Sequence, residues 1–268
     1  MEYAVETNCL TKKFHHHVAV SQINMHVKRG EIYGFIGRNG AGKTTCMKMF
    51  CGLSTQTDGE IRLFGKQGAE TKAYMERIGN LIENPGLYPN MTGYENLKCK
   101  CIAMGIYKKG YIEEILKQVG LDRKKMVKNY SLGMKQRLGI GMALVGEPDL
   151  LILDEPINGL DPQGIAEIRD TLKRLNQKKG ITILISSHIL EELYKVADTF
   201  GIINQGELIL ELSKEELEKI RQSQKKAADK HTGANHSANV RFTDRNVKQK
   251  NQKNLRKNNQ KNMRYRTE

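Results

Sequence analysis

The segment that most constrains this chain is a glycine-rich loop followed by a lysine and two threonines. It comes after an apolar run over residues 32–36, typical of a buried strand, and leads into a helix predicted from Lys43 to Cys51. Glycine has no Cβ, so successive backbone N–H groups can turn inward around an anion, and the helix N-terminus adds the positive end of its dipole. The pattern G-x-x-x-x-G-K-[ST] therefore predicts a phosphate-binding P-loop. Its residues are Gly37, Arg38, Asn39, Gly40, Ala41, Gly42, Lys43, Thr44 and Thr45.

The parts of this loop suit a nucleoside triphosphate. Lys43 is expected to reach the β- and γ-phosphates, and the Thr44 hydroxyl is expected to ligate Mg²⁺. The alternative is a glycine-rich turn that matches by chance, and the strand–loop–helix context disfavours it. The residues expected to contact the nucleotide here are Gly37, Asn39, Gly40, Ala41, Gly42, Lys43, Thr44 and Thr45.

A second segment combines an apolar strand with two terminal acids. Residues 150–153 are Leu-Leu-Ile-Leu, and Asp154 and Glu155 follow directly. A buried strand has little reason to end in paired carboxylates unless they meet a cation or a proton. We expect Asp154 to hold the Mg²⁺ shell and Glu155 to polarise the attacking water as a general base. Acids that merely lead out of a strand are common singly, but a pair is not.

Strands and helices alternate along most of the chain, which predicts an α/β fold with a mixed, mainly parallel sheet. Residues 90–147 interrupt the alternation. Thr92 and Glu95 form a capping-box pattern, and Ser131 can cap a further helix. This stretch is expected to be a helical subdomain inserted between strands, within one P-loop domain spanning residues 1–219. The predicted strands cover residues 3–6, 18–27, 32–36, 60–64, 78–82, 150–153, 181–185, 200–203 and 207–212.

Charge separates the chain into two parts. The formal net charge is +14, but residues 220–268 contain 14 Lys and Arg against 3 Asp and Glu, so the preceding domain is close to neutral. The tail is rich in Asn and Lys with few apolar positions, which predicts disorder. A nucleic-acid-binding arm is an alternative, although aromatic residues are not interleaved with the basic ones. A shifted reading frame of an A-rich gene is another. No nucleic-acid partner is expected.

The cysteine content and the hydropathy of the chain indicate the cellular compartment in which we expect the protein. The five cysteines have no metal-type spacing, which favours free thiols in a reducing cytosol. The N-terminus lacks the apolar region of a signal peptide, and no run of about 18 apolar residues is present. Any role at a membrane would therefore depend on a partner.

Three further segments carry a family resemblance. Residues 131–137 are Ser-Leu-Gly-Met-Lys-Gln-Arg, residues 158–162 are Asn-Gly-Leu-Asp-Pro, and residues 186–188 are Ser-Ser-His. With the P-loop and the acidic strand end, this order over residues 2–215 resembles the ATP-binding cassette (ABC) ATPases. A guanine-binding N-K-x-D motif is not evident, which argues against a GTPase. A soluble kinase would not contain the segment from Ser131 to Arg137.

The resemblance implies roles for individual residues. Ser131 and Gly133 match the signature motif, which contacts the γ-phosphate of ATP held by the opposite subunit. Leu132 and Met134 depart from the usual glycine and glutamine there. Further matches are Asp161 in the loop that communicates across the dimer, His188 as the γ-phosphate switch, and Phe14 as the adenine-stacking aromatic.

Three features near these motifs have a plain structural explanation as well as a functional one. Phe14 and His188, taken alone, are more often a core aromatic and a strand-end histidine. His15, His16 and His17 suggest a metal site, but three consecutive side chains converge poorly on one ion, so a solvated loop is favoured.

The loop after the strand at residues 78–82 indicates which group of ABC ATPases this chain resembles. Most ABC ATPases carry a glutamine here that touches Mg²⁺ and the attacking water, whereas this chain has Glu83, which adds a negative charge but can still ligate Mg²⁺. The sequence of residues 82–89 resembles the corresponding segment of the bacitracin-resistance and lantibiotic-immunity exporters. It is Ile-Glu-Asn-Pro-Gly-Leu-Tyr-Pro. By that resemblance Glu83 counts among both the catalytic and the metal-binding residues.

The resemblance implies an ATP-binding and ATP-hydrolysing subunit that uses Mg²⁺ and acts at the cytoplasmic face of the membrane. Two copies would sandwich two ATP molecules, and residues 90–147 would dock a separate transmembrane permease that clears antimicrobial peptides. A generic exporter of lipid, polysaccharide or drug is an alternative. A non-transport ABC protein is another, although those usually carry two cassettes or a coiled-coil insertion.

Overall fold

A six-stranded sheet forms the centre of the unit that spans residues 1–214 in the computed structural model, which describes residues 2–231. Five of its strands are parallel, and the edge strand formed by residues 207–213 is antiparallel. The expectation of a mixed, mainly parallel sheet is therefore confirmed. In spatial order the strands are β11 (Glu207–Ser213), β10 (Thr199–Asn204), β4 (Ile32–Ile36), β9 (Thr182–Ser187), β8 (Leu150–Leu153) and β7 (Ile78–Leu81).

Register within this sheet determines where the polar ends of the strands meet. Ile36 of β4 pairs with Ser187 of β9, and Leu153 of β8 pairs with Ile185 of β9. The carboxyl ends of three parallel strands thus lie side by side. The interior of these strands is fully buried, in keeping with their continuous apolar runs.

A second, antiparallel sheet packs on the same core and is larger than the sequence predicted. The first strand extends to Phe14 instead of ending near Glu6, and the predicted strand over residues 18–27 is divided in two. Bulges in the pairing of the first strand explain why its alternation is broken in the sequence. The strands are β1 (Tyr3–Phe14), β2 (His17–Ile23), β3 (His26–Lys28), β5 (Asp58–Leu63) and β6 (Lys66–Gln67).

Helices occupy the expected places, and those at residues 93–143 lie between β7 and β8 as the predicted insertion. Thr92 and Glu95 form the capping box, and the Ser131 hydroxyl accepts a hydrogen bond from Met134 N at 3.2 Å. Both predicted caps are thereby confirmed. The helices are α1 (Lys43–Phe50), α2 (Gly93–Ala103), α3 (Tyr111–Gln118), α4 (Leu132–Ala143), α5 (Pro162–Lys179), α6 (Leu190–Tyr194) and α7 (Lys214–His231), with 3₁₀ turns at Gly68–Arg77 and Val127–Asn129.

The last helix corrects one expectation. The composition predicts disorder from residue 220, but α7 continues to His231, so residues 220–231 are helical. The segment is rich in Lys, Gln and Ala, which are good helix formers, and its low hydropathy concealed that propensity. The rest of the predicted disordered tail, residues 232–268, lies outside the described residues. None of the helices in the described range combines the length and hydropathy that a bilayer-spanning segment needs.

A partly buried polar network joins the two sheets. Glu211 Oε1 accepts hydrogen bonds from the Tyr33 hydroxyl at 2.7 Å and from His26 N at 2.8 Å, and Oε2 lies 2.9 Å from His26 Nδ1. Tyr33 is fully buried, so its hydroxyl needs this partner. The Glu211 hydrogen bond raises the pKa of His26; burial opposes the rise, and the negative charges of Glu211 and Glu6 add to it.

Substitution of Gly79 is expected to disrupt the junction between β7 and α4. A Cβ at Gly79 would lie 1.9 Å from the Ala143 carbonyl oxygen and 2.8 Å from Leu151 Cδ2. Gly79→Ala should therefore lower the free energy of unfolding by about 1–3 kcal/mol or prevent folding, as measured by urea denaturation. Gly86→Ala, with no atom within 4 Å of its Cβ, is the matched control. Equal stability of the two variants would contradict this packing.

The His26–Glu211 contact is expected to make stability depend on pH. Because the folded-state pKa of His26 is raised, the contact contributes fully below the unfolded value of about 6.5 and is lost as the pH rises through the folded-state value. The melting temperature of the wild type should therefore fall more between about pH 6 and about pH 9 than that of His26→Gln. His16→Gln, in an exposed turn, should follow the wild type. A His26→Gln profile parallel to the wild type would refute the idea.

Candidate active site

The glycine-rich loop wraps tightly between β4 and α1. Gly42 has φ +106°, and a Cβ there would lie 2.6 Å from the Ala19 carbonyl oxygen. A Cβ at Gly37 would lie 2.6 Å from the Ile203 carbonyl oxygen. Both glycines are therefore required because the backbones of β2 and β10 approach them closely, whether or not a ligand is bound. The structure places this loop between a strand and a helix, as the motif predicted.

Lys43 is held over the loop that precedes it. Its Nζ donates to the Gly37 carbonyl at 2.6 Å and the Arg38 carbonyl at 3.3 Å, and it lies 3.1 Å from Glu155 Oε1. Only 5% of the side chain is exposed. A buried ammonium needs close compensation, and here a carboxylate and two carbonyls provide it.

Asp154 links the P-loop helix to two strands. Its Oδ2 accepts from the Thr44 hydroxyl at 2.6 Å, and its Oδ1 accepts from the Ser186 hydroxyl at 2.6 Å. The same Ser186 oxygen accepts from Glu155 N at 2.9 Å. Asp154 is buried, so these charge-assisted hydrogen bonds offset its loss of hydration. The sequence places Ser186 in a motif but indicates no role for it, whereas in the structure it orients both acids.

Glu155 lies between a lysine and a histidine. Its φ of +48° is unusual for a residue with a side chain and turns it away from the strand direction. Oε2 is 2.9 Å from His188 Nδ1, whereas the buried Oε1 forms an ion pair with Lys43 but no hydrogen bond within the described part of the chain. A carboxylate held in this way at a strand end is positioned to act as a proton acceptor.

Glu83 lies at the matching position of the neighbouring strand. Leu81 of β7 pairs with Leu153 of β8, so Glu83 and Glu155 each come two residues after a paired leucine. Glu83 also has a positive φ of +64°. Its carboxylate accepts a hydrogen bond from Lys48 at 2.5 Å. The structure thus brings Glu83 to the same sheet edge as Asp154 and Glu155.

Two open clefts border the loop. A cleft of about 410 Å³ is lined by Phe14, which is 47% exposed, and by His17, Ala19, residues 39–45 and Glu155. A neighbouring cleft of about 610 Å³ contains His188 and Arg38. Phe14 is therefore beside the loop and not in the core, with Lys12 Nζ 4.8 Å from its ring centroid. His15 and His16 lie in an exposed turn, and residues 2–231 contain no group of three or more His, Cys, Asp or Glu arranged to hold a metal.

The signature-like segment and the Asp161 loop form a separate surface. Ser131 and Asp161 cap α4 and α5, and Asp161 Oδ1 accepts from Gly164 N at 3.0 Å. A Cβ at Gly133 would be 3.8 Å from Gly164 Cα, so the two helix starts are neighbours and Gly133 has room around it. None of these residues is among the described residues that line the two clefts beside the P-loop.

Comparisons with known proteins agree with this geometry. The family model described as ABC transporter matches residues 20–158. The bacitracin transport ATP-binding protein BcrA of Enterococcus faecalis is 50% identical over 222 residues, which cover 82% of this chain and 72% of that protein. The lantibiotic transport ATP-binding protein SrtF of Streptococcus pyogenes is 43% identical over 204 residues, covering 75% and 87%. The predicted resemblance to the bacitracin-resistance and lantibiotic-immunity group is therefore confirmed.

A solved structure supports the fold as well. CbiO1 from Clostridium perfringens, described as part of the ABC transporter complex cbiONQ, superposes with a TM-score of 0.75 at 28% identity, covering 84% of this chain and 94% of that one. Fold, motifs and family match point to the same conclusion: this ATP-binding, ATP-hydrolysing chain belongs to the ABC transporter family.

Proposed function

We propose that this chain is the ATPase subunit of an exporter that removes antimicrobial peptides of the bacitracin or lantibiotic type from the membrane. The observation that carries the ATPase part is Glu155, held at 2.9 Å from His188 and 3.1 Å from Lys43 at the end of β8. The similarity to BcrA and SrtF, at 50% and 43% identity, supports the peptide substrate.

The residues around Asp154 fit magnesium. Thr44 offers a hydroxyl oxygen 2.6 Å from a carboxylate oxygen of Asp154, and hard divalent cations prefer such ligands together with phosphate oxygens. Glu83 is proposed as a further oxygen ligand, since its contact to Lys48 uses only Oε1. When bound, Mg²⁺ supplies neutralisation of the charge on the β- and γ-phosphates.

The protein's own groups then divide the work of hydrolysis. Lys43 and the backbone of residues 37–45 bind the phosphates, and Phe14 stacks on the adenine at the edge of its cleft. Glu155 orients the attacking water and accepts its proton, while His188 holds Glu155 and donates toward the γ-phosphate. Positioning and fixed charge provide most of the catalysis in such a site.

A second copy of the chain completes the site in this proposal. Ser131 and Gly133 lie at the N-terminus of α4, on a surface distinct from the P-loop clefts. A helix N-terminus with a hydroxyl and open backbone N–H groups suits an anion, so it would contact the γ-phosphate of ATP bound to the partner. Asp161, which caps the adjacent α5, would connect the two sites across the homodimer.

A separate permease would provide the path across the membrane. The helical insertion exposes apolar side chains that a partner could cover, namely Ile102, Met104, Tyr107 and Met126. We propose that residues 90–147 dock this permease and that the chain is held peripherally at the cytoplasmic face of the membrane. Nucleic acid is not a proposed partner.

Replacing Glu155 should separate binding from hydrolysis. Glu155→Gln keeps the shape of the side chain but removes the base, so the rate of phosphate release from MgATP should fall by at least ~100-fold. Calorimetry should still detect MgATP binding, and size-exclusion chromatography with ATP should show a dimer. Glu70→Gln, at an exposed carboxylate paired with Lys66, is the control. Undiminished phosphate release by Glu155→Gln would overturn the assignment of the base.

The peptide substrate is tested in cells that express the chain with its permease. Wild type should raise the bacitracin or lantibiotic concentration that stops growth, and Glu155→Gln should return it to the level of cells without the ATPase, because transport requires hydrolysis. Chloramphenicol, a small non-peptide antibiotic, is the matched challenge and should affect both strains alike. Equal peptide survival of wild type and Glu155→Gln would reject ATP-driven peptide clearance.

A further inference from the structure

Helix α1 contacts two acids that leave the parallel sheet at matching positions. Lys43 lies 3.1 Å from Glu155, which follows β8, and Lys48 lies 2.5 Å from Glu83, which follows the adjacent β7. Five residues along a helix correspond to roughly 7.5 Å of rise, while neighbouring strands are about 4.8 Å apart. One helix can therefore present a lysine to each of two adjacent strand ends.

The two ion pairs differ in their surroundings. Lys43 is 5% exposed and also donates to two backbone carbonyls, whereas Lys48 is 38% exposed and Glu83 is 65% exposed. Glu83 is the second residue of the segment of residues 82–92, which we call the β7–α2 loop, and its positive φ fixes the direction in which the loop leaves the sheet. Lys48 thus attaches the start of this loop to the helix that carries the phosphate cradle.

The negative charges at this sheet edge explain what the Lys48–Glu83 contact contributes. Asp154 and Glu155 already place two carboxylates beside the proposed triphosphate site, and each has its own partners. A third carboxylate at the same sheet edge would repel the phosphates unless a cation compensated it. An uncharged amide at position 83 would need no such compensation.

We propose that Lys48 is a positioning residue that neutralises and orients Glu83, so that a carboxylate can serve beside the γ-phosphate. The inference rests on the proposed ATPase site and deepens it. Lys48 acts through Glu83 and does not itself touch the nucleotide. Its importance should therefore depend on the charge at position 83.

A double-mutant cycle in the full-length chain tests this dependence. Lys48→Met should lower kcat for MgATP hydrolysis by ~2- to 5-fold with a smaller change in KM, in line with one partly exposed ion pair. In the Glu83→Gln background, adding Lys48→Met should leave kcat at the value of the Glu83→Gln single variant. Lys48→Arg should restore most of the activity. Lys66→Met, which breaks an exposed ion pair of 3.0 Å with Glu70, is the matched control and should leave kcat unchanged.

Hydrogen exchange in the absence of nucleotide gives an independent readout. Lys48→Met and Glu83→Gln should each speed amide exchange in the β7–α2 loop by ~2- to 5-fold, and the double variant should exchange no faster than either single one. Equal effects of Lys48→Met with and without the Glu83→Gln substitution, or no effect in either readout, would overturn the proposal. Wild-type protein that ignores MgATP would instead remove the proposed function, and loop exchange alone would then decide the role of Lys48.

Discussion

The buried carboxylate of Asp154 is the interaction on which the rest of the site depends. It accepts hydrogen bonds from Thr44 on α1 and from Ser186 on β9, both at 2.6 Å, while it ends β8 itself. A charge that is almost wholly buried is tolerated only with such partners. The hydrogen bonds therefore hold one helix and two strands in a single arrangement, which places the glycine-rich loop opposite the acids.

The same anchor explains the strained backbone beside it. Ser186 accepts from Glu155 N while donating to Asp154, and Glu155 adopts φ +48°. A positive φ at a residue with a side chain costs free energy and persists only where neighbouring contacts impose it. Here the strain directs one carboxylate at Lys43 and His188. The hydrogen bonds around Asp154 therefore also fix the orientation of the Glu155 carboxylate.

Motifs that are continuous in the chain were predictable, since a P-loop between strand and helix or an acid pair after a buried strand is determined by local backbone geometry. Contacts between distant segments were not. The role of Ser186, the pairing of Lys48 with Glu83 and the strand that carries Phe14 all depend on packing that no local pattern encodes. Residues 220–231 are helical although their low hydropathy predicts disorder, because helix propensity does not depend on hydropathy.

Under the proposed function, the division of groups between two surfaces has an energetic consequence. One copy supplies Lys43, Asp154 and Glu155 on one side of the nucleotide, while the capped start of α4 lies on another surface. Helix N-termini leave backbone donors without intrahelical partners, and a triphosphate on the partner would engage them. ATP would then bind the closed dimer better than the open one, and only such a difference in affinity can drive the motion. Hydrolysis removes the γ-phosphate that both surfaces share, so opening follows from the loss of that difference.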